Sequence, residues 1–166
     1  MTDPLPFGLI LKISSKMELN KKQKLYNLIL TLIQYSTLTA FLIMTPYVAK
    51  GIVWQIIEII GGIVGIWAIV VMQNSKINIA PVPRENAHLV TNGPYRLIRH
   101  PMYIAIILTL TPLIITHYDP IRTIILGVLY VNLIFKLLFE EGLLKEYFEG
   151  YENYMKKSWR LLPWIF

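Results

Sequence analysis

Residues 52–72 read IVWQIIEIIGGIVGIWAIVVM, an unbroken apolar run holding one acid, Glu58, and no base. At 1.5 Å of rise per residue, a helix of this length matches a hydrocarbon core of about 30 Å. A soluble core of this size would not require such a run, so the stretch reads as a membrane span. A second run, residues 25–49, lies just upstream, separated by little more than Lys50 and Gly51. The two are expected to form a tight antiparallel hairpin, with Pro46 kinking or ending the first helix. Gly61 and Gly65 have the GxxxG spacing that lets helix backbones approach closely, a structural role. Glu58, with Gln55 about a turn earlier, is an intramembrane ionisable group and hence a functional candidate. A neutral, hydrogen-bonded glutamate packing helices together accounts for it equally well.

The rest of the composition agrees with a membrane protein. Of 166 residues, 55% are hydrophobic and 16% charged, and the size suits one domain. The domain is taken as residues 1–166, with an N-terminal segment and first hairpin at 1–72 and the chemistry-bearing part at 73–166. There is no cysteine, which excludes disulfides, thiolate metal sites and a thiol nucleophile. The net charge of +6 flanks apolar runs instead of forming a stripe. Anionic membrane lipids, not nucleic acid, are therefore the expected counter-charge. Residues 1–20 place a modest apolar stretch before lysines, the reverse of a signal peptide. They are read as an interfacial or re-entrant piece.

Downstream, residues 73–99 are polar and rich in turn formers. A shorter apolar run, 103–116, is interrupted by Pro112, and a fourth span is expected over 121–139. Residues 140–166 alternate charge with aromatics at helical spacing, as an amphipathic helix on the membrane face would. The expected fold is thus all-α: a bundle of about four transmembrane helices with a cytosolic loop and a C-terminal amphipathic helix. Lys and Arg set its orientation. Thirteen fall in the N-terminal segment, central loop and tail, against Lys50 and Arg122 in the two opposite turns. The positive-inside rule puts both termini and the central loop in the cytoplasm.

Two clusters on that face could carry chemistry. Gly93-Pro94-Tyr95-Arg96-Leu97-Ile98-Arg99-His100-Pro101-Met102-Tyr103 combines one imidazole, two guanidinia and two phenols in a loop stiffened by Gly and Pro. Arginine there can hold a carboxylate or phosphate, and the aromatic rings give stacking faces. A positive-inside cluster with interfacial aromatics explains the same residues about as well. The second cluster is Glu140-Glu141. Asn132, Lys136 and Glu140 recur at i, i+4 and i+8 and so share one helix face. Snorkelling explains Lys136, but adjacent acids do not anchor a cytosolic helix end, and a cationic ligand would account for them. No phosphate-binding glycine loop, HExxH motif or paired metal-binding histidines occur. Metal catalysis is disfavoured, and so is transport, because the spans carry few midplane polar residues.

The stretch Leu89-Val90-Thr91-Asn92-Gly93-Pro94-Tyr95-Arg96, continued by Arg99-His100-Pro101-Met102-Tyr103 and then by Glu140-Glu141, resembles the signature of the isoprenylcysteine carboxyl methyltransferase family. Leu144, Phe148, Tyr151, Tyr154, Arg160 and Pro163 are similar to the tail that follows it. The resemblance covers roughly residues 70–166, and phospholipid N-methyltransferases share it more loosely. It implies an S-adenosylmethionine-dependent methyltransferase acting on a lipid-borne or membrane-embedded acceptor. It also implies a cofactor pocket formed by Leu89, Val90, Tyr95, His100, Pro101 and Tyr103, with Glu140 more than Glu141 supplying a carboxylate. Lys136, four residues before Glu140, corresponds to a basic residue placed near the acceptor. Ala105 stands where the family usually has glycine, which is expected to tighten a helix contact. The tail is one residue shorter around Phe148-Glu149-Gly150-Tyr151.

Two alternatives compete. An NADPH-dependent sterol or enone reductase shares an RHPxY element, but such proteins are usually longer. A non-catalytic scaffold binding anionic lipid through its basic face would show no cofactor response.

Overall fold

The structure, a computed structural model, describes residues 19–73 and 89–163. The expectations for the N-terminal segment, most of the loop from 73 to 88, and the last three residues lie outside these. The described chain is all-helical: α1 (Lys21–Met44), α2 (Ile52–Gln73), a 3₁₀ turn (Gly93–Arg96), α3 (Pro101–Thr116), α4 (Pro120–Tyr147) and the short α5 (Tyr151–Met155). Three of these, α1, α2 and α4, are long and apolar enough to cross a membrane. The apolar α3, at 16 residues, rises about 24 Å.

Local chemistry sets the helix starts. Asn20 and Gln23 form a reciprocal capping box ahead of α1, each side chain accepting the other's backbone N–H at 2.9 Å. Asp119 caps α4 by accepting the Arg122 N–H at 2.9 Å, with Pro120 opening the helix. Pro46 has the expected effect: α1 ends at Met44, with Thr45 as an extended cap.

The expected hairpin is not how the helices pair. α1 packs chiefly against α4, and α2 packs chiefly against α3. Polar side chains direct the first pairing. Asn132 Nδ2 donates to the Leu30 carbonyl at 3.0 Å, and Lys136 Nζ donates to Gln34 Oε1 at 2.7 Å. Small residues direct the second. A methyl group on Gly61 would fall 2.6 Å from Thr109 Oγ1 and 2.8 Å from the Thr109 nitrogen, while one on Gly65 would meet Ala105 Cβ at 3.2 Å. The GxxxG face is therefore structural, and Ala105 forms the close contact expected of it. A central core, with Phe41, Leu110, Leu113, Leu129, Leu133 and Leu137 buried, joins the two pairs.

Pro112 does not interrupt α3 but lies buried inside it. A proline leaves a carbonyl of the preceding turn without its usual donor. Hydroxyls also bond neighbouring carbonyls of α3: Thr111 and Tyr130 reach that of Ile107, at 2.6 and 3.4 Å, and Thr116 that of Pro112 at 2.8 Å. Glu58 also acquires a definite place. It accepts the Ala49 N–H at 3.0 Å, and Gln55 donates to the Ala49 carbonyl at 3.0 Å, so both groups tie the α1–α2 connection to α2.

The tail differs most from expectation. α4 runs on to Tyr147, and among the described residues no long amphipathic helix follows. Gly150 adopts φ +89°, a left-handed conformation that glycine accepts without penalty. Among the described residues only five helical ones succeed it, Tyr151–Met155, and the chain then folds back. Tyr151 and Leu161 are buried inside the protein instead of facing lipid.

Candidate functional site

The central loop, the start of α3, the end of α4 and the tail converge at one end of the bundle. Gly93 makes the approach possible. At φ +56° it turns the chain beside α2, where any Cβ would lie 2.9 Å from Val71. Pro94 opens the 3₁₀ turn, and Tyr95 is buried with Val90 against Ala68 of α2. Pro101, fully buried, starts α3, and His100 is its N-cap.

The tail then clasps the loop. Ile98 and Trp159 pair as a parallel bridge: Arg99 N–H donates to the Trp159 carbonyl at 2.7 Å, and Trp159 N–H to that of Leu97 at 3.0 Å. His100 N–H donates to the Arg160 carbonyl at 3.1 Å. From α5, the Tyr154 hydroxyl donates to the Tyr95 carbonyl at 2.6 Å. Burial pushes the Tyr154 phenol up to about 12, and burial likewise raises Tyr95 and Tyr151. All three phenols stay neutral near pH 7 and serve as hydrogen-bonding and packing groups.

The two adjacent acids have separate environments. Glu141, buried, accepts from Arg99 Nε at 2.7 Å and from Arg160 Nε at 2.9 Å, one guanidinium on each oxygen. Arg99 also donates to the carbonyls of Met155, at 3.1 Å, and of Ser158. Glu141 is thus the node that joins loop, α4 and tail. Glu140 points toward the aromatic side. Tyr103 Oη lies 2.8 Å from both of its carboxylate oxygens, and His100 Nδ1 lies 3.8 Å from Oε2. The His100 and Tyr103 rings stack, with centroids 5.3 Å apart and planes 5° from parallel. His100 Nε2 is buried without a hydrogen-bond partner, 3.5 Å from Glu141 Oε1.

Tyr95, His100, Pro101, Tyr103, Glu140 and Glu141 therefore come together, with Val90 behind Tyr95 and Leu89 half-buried next to it. Lys136 sits one turn before Glu140 on the same face of α4, buried and turned toward α1. Arg99, Arg160 and Ser158 hold this cluster in place, yet motif reading alone did not single them out as site residues. Arg99 was legible as a loop arginine able to hold a carboxylate and Arg160 as part of the tail's similarity, whereas Ser158 carried no signal. Thr31 and Gln34, the partners of Lys136, were missed as well, although polar residues within an apolar span were a usable sign.

An apolar groove of about 410 Å³ runs between α1 and α4, lined by Leu30, Ile33, Val128, Val131 and Phe135, with Asn132 as a polar member. Asn132 leads along the helix face to Lys136 and Glu140.

A family model for phospholipid methyltransferases matches residues 52–150, from the first residue of α2 to the glycine before α5. The match spans both acids and the whole loop cluster, and it favours the methyltransferase expectation over the reductase. No curated protein and no solved structure matches the chain.

Proposed function

Because the chain belongs to the phospholipid methyltransferase family, we propose that it transfers a methyl group from S-adenosylmethionine to a lipid-borne acceptor at the cytosolic membrane face. The observation that carries this reading is the Glu140 carboxylate beside the stacked rings of His100 and Tyr103. That donor set fits the cofactor: its amino group and sulfonium are cationic, and a carboxylate with aromatic faces favours cations. The His100 ring adds a polar edge on the same side, its Nδ1 3.8 Å from Glu140 Oε2.

In this reading Leu89, Val90, Tyr95, His100, Pro101 and Tyr103 form the cofactor side, and Glu140 binds the amino group. Glu141, saturated by two guanidinia, keeps the loop and tail in register. Lys136 faces the acceptor, whose tail runs in the groove between α1 and α4. When bound, S-adenosylmethionine supplies an electrophilic methyl group. The protein's part is to exclude water and align the acceptor for in-line attack, a contribution of proximity. A carboxylate acceptor needs no base. An amine acceptor must lose a proton, and His100 and Glu140 are the titratable groups at hand. The excess of basic residues flanking the spans on one side supports a cytosolic site with both termini on the same face.

The test is incubation of membranes containing the protein with radiolabelled S-adenosylmethionine, followed by separation of lipid, protein and small molecules. Label in the lipid fraction is expected, lost in Glu140→Gln. Base-labile label identifies an ester and stable label an N-methyl product. No incorporation above control membranes refutes the proposal.

A further inference from the structure

α1 lies wholly outside the family-matched residues, yet it provides the hydrogen-bond partners seen at Lys136. The ammonium donates to Gln34 Oε1 at 2.7 Å and to Thr31 Oγ1 at 3.4 Å. Both partners are neutral oxygens one helical turn apart. Gln34 is itself buried at 8% exposure and Lys136 at 5%.

This is an unusual position for a lysine. Lys136 lies in the second half of α4 (Pro120–Tyr147), and a lysine in an apolar helix ordinarily extends its flexible four-carbon stem toward water or headgroups. Snorkelling would hydrate the charge at little cost. Instead the side chain is held sideways against α1, where an ammonium with three donors has to be satisfied by protein groups. Gln34 is the short bond that keeps it there, and Asn132 fastens the same two helices one turn earlier by its bond to the Leu30 carbonyl.

We propose that Gln34, supported by Thr31, is a positioning residue for methyl transfer: it holds the Lys136 ammonium against α1, one turn beyond Asn132 of the groove and one turn before Glu140. α1 thereby becomes a wall of the site and not only an anchor. The inference rests on the methyltransferase reading, in which Lys136 faces the acceptor.

A double-mutant cycle on the full chain in native membranes tests it, with methyl transfer from radiolabelled S-adenosylmethionine as one readout and thermal unfolding as the other. Gln34→Leu is expected to lower the maximal rate about tenfold, the size of one hydrogen bond to a charged group, with the KM for S-adenosylmethionine unchanged. Gln34→Glu, which keeps an acceptor oxygen, should restore activity. In a Lys136→Met background, Gln34→Leu should cost nothing further. Unfolding should follow the same logic: Gln34→Leu lowers the midpoint, and adding Lys136→Met recovers part of the loss because no donor is then stranded. Gln34→Met serves in the same cycle if the leucine variant does not accumulate. Losses that multiply in the double variant overturn the positioning role while leaving the methyltransferase reading intact. A wild-type protein that transfers no methyl group overturns that reading and this role with it.

Discussion

Tyr103 places its phenolic oxygen 2.8 Å from both carboxylate oxygens of Glu140, joining the first turn of α3 to the last third of α4. The bond orients the acid and favours its charged form, against a burial that disfavours that form. Tyr103→Phe should keep the fold and weaken S-adenosylmethionine binding by about tenfold, the loss of one charge-assisted hydrogen bond. Glu140→Gln should abolish binding. Titration calorimetry on the detergent-purified protein measures both, and unchanged affinity in the two variants would remove Glu140 from the cofactor site.

The neighbouring acid should behave differently. Glu141 is buried between two guanidinia, and Arg99 itself has only 8% of its side chain exposed. Arg99→Ala strands a buried carboxylate and should cost about 3–5 kcal/mol in thermal or denaturant unfolding. Arg160→Ala, at a side chain 31% exposed, should cost less because water replaces part of the lost interaction. Equal costs would contradict the assignment of Arg99 as the principal partner.

Two adjacent glycines in α2 make an internal control for the α2–α3 contact. A Cβ at Gly61 collides with Thr109 and Leu108, whereas one at Gly62 meets nothing within 4 Å. Gly61→Ala should destabilise by about 1–3 kcal/mol through overpacking, whereas Gly62→Ala should be neutral or stabilising by up to about 1 kcal/mol. Unfolding midpoints of the two variants compare them directly.

Docking of the tail should be sensitive to alkali. The folded protein holds the Tyr154 phenol at about 12, above its ordinary 10.0, chiefly by burial. A raised folded value means that the unfolded chain loses its proton first. The contribution is therefore complete below pH 10 and declines as the pH climbs toward 12. Phenolate absorbance should rise together with exposure of the tail to protease over that interval. Tyr154→Phe removes the 2.6 Å bond to the Tyr95 carbonyl, costing about 1 kcal/mol, and should open the tail to protease at neutral pH.

Much of this was legible in the residues taken alone. The apolar run of α2, its glycine spacing and the shared face of Asn132, Lys136 and Glu140 follow from helical geometry, which depends only on positions along one chain. The paired acids and the RHPMY stretch marked the site for the same reason: each motif is local. Helix partnership was not legible. Every apolar helix face looks alike to a hydrophobic pattern, so adjacency in sequence suggested a hairpin of α1 with α2. Three hydrogen bonds across α1 and α4 and the missing Cβ atoms of Gly61 and Gly65 between α2 and α3 decided otherwise.

The tail shows the same division. Its alternation of aromatics and charges has the period of an amphipathic helix, and period alone cannot say whether the apolar face meets lipid or protein. Gly150 at φ +89°, the Ile98–Trp159 bridge and the Arg99–Glu141–Arg160 cluster turn it inward over the site. The sequence by itself determined the membrane character, the helical class and the methyltransferase family, because composition, period and motif are one-dimensional properties. Only the tertiary structure decided which acid is committed to arginine and which faces the aromatic rings, and that α1 holds Lys136. Those choices depend on distances between residues about forty to one hundred positions apart, which no local pattern encodes.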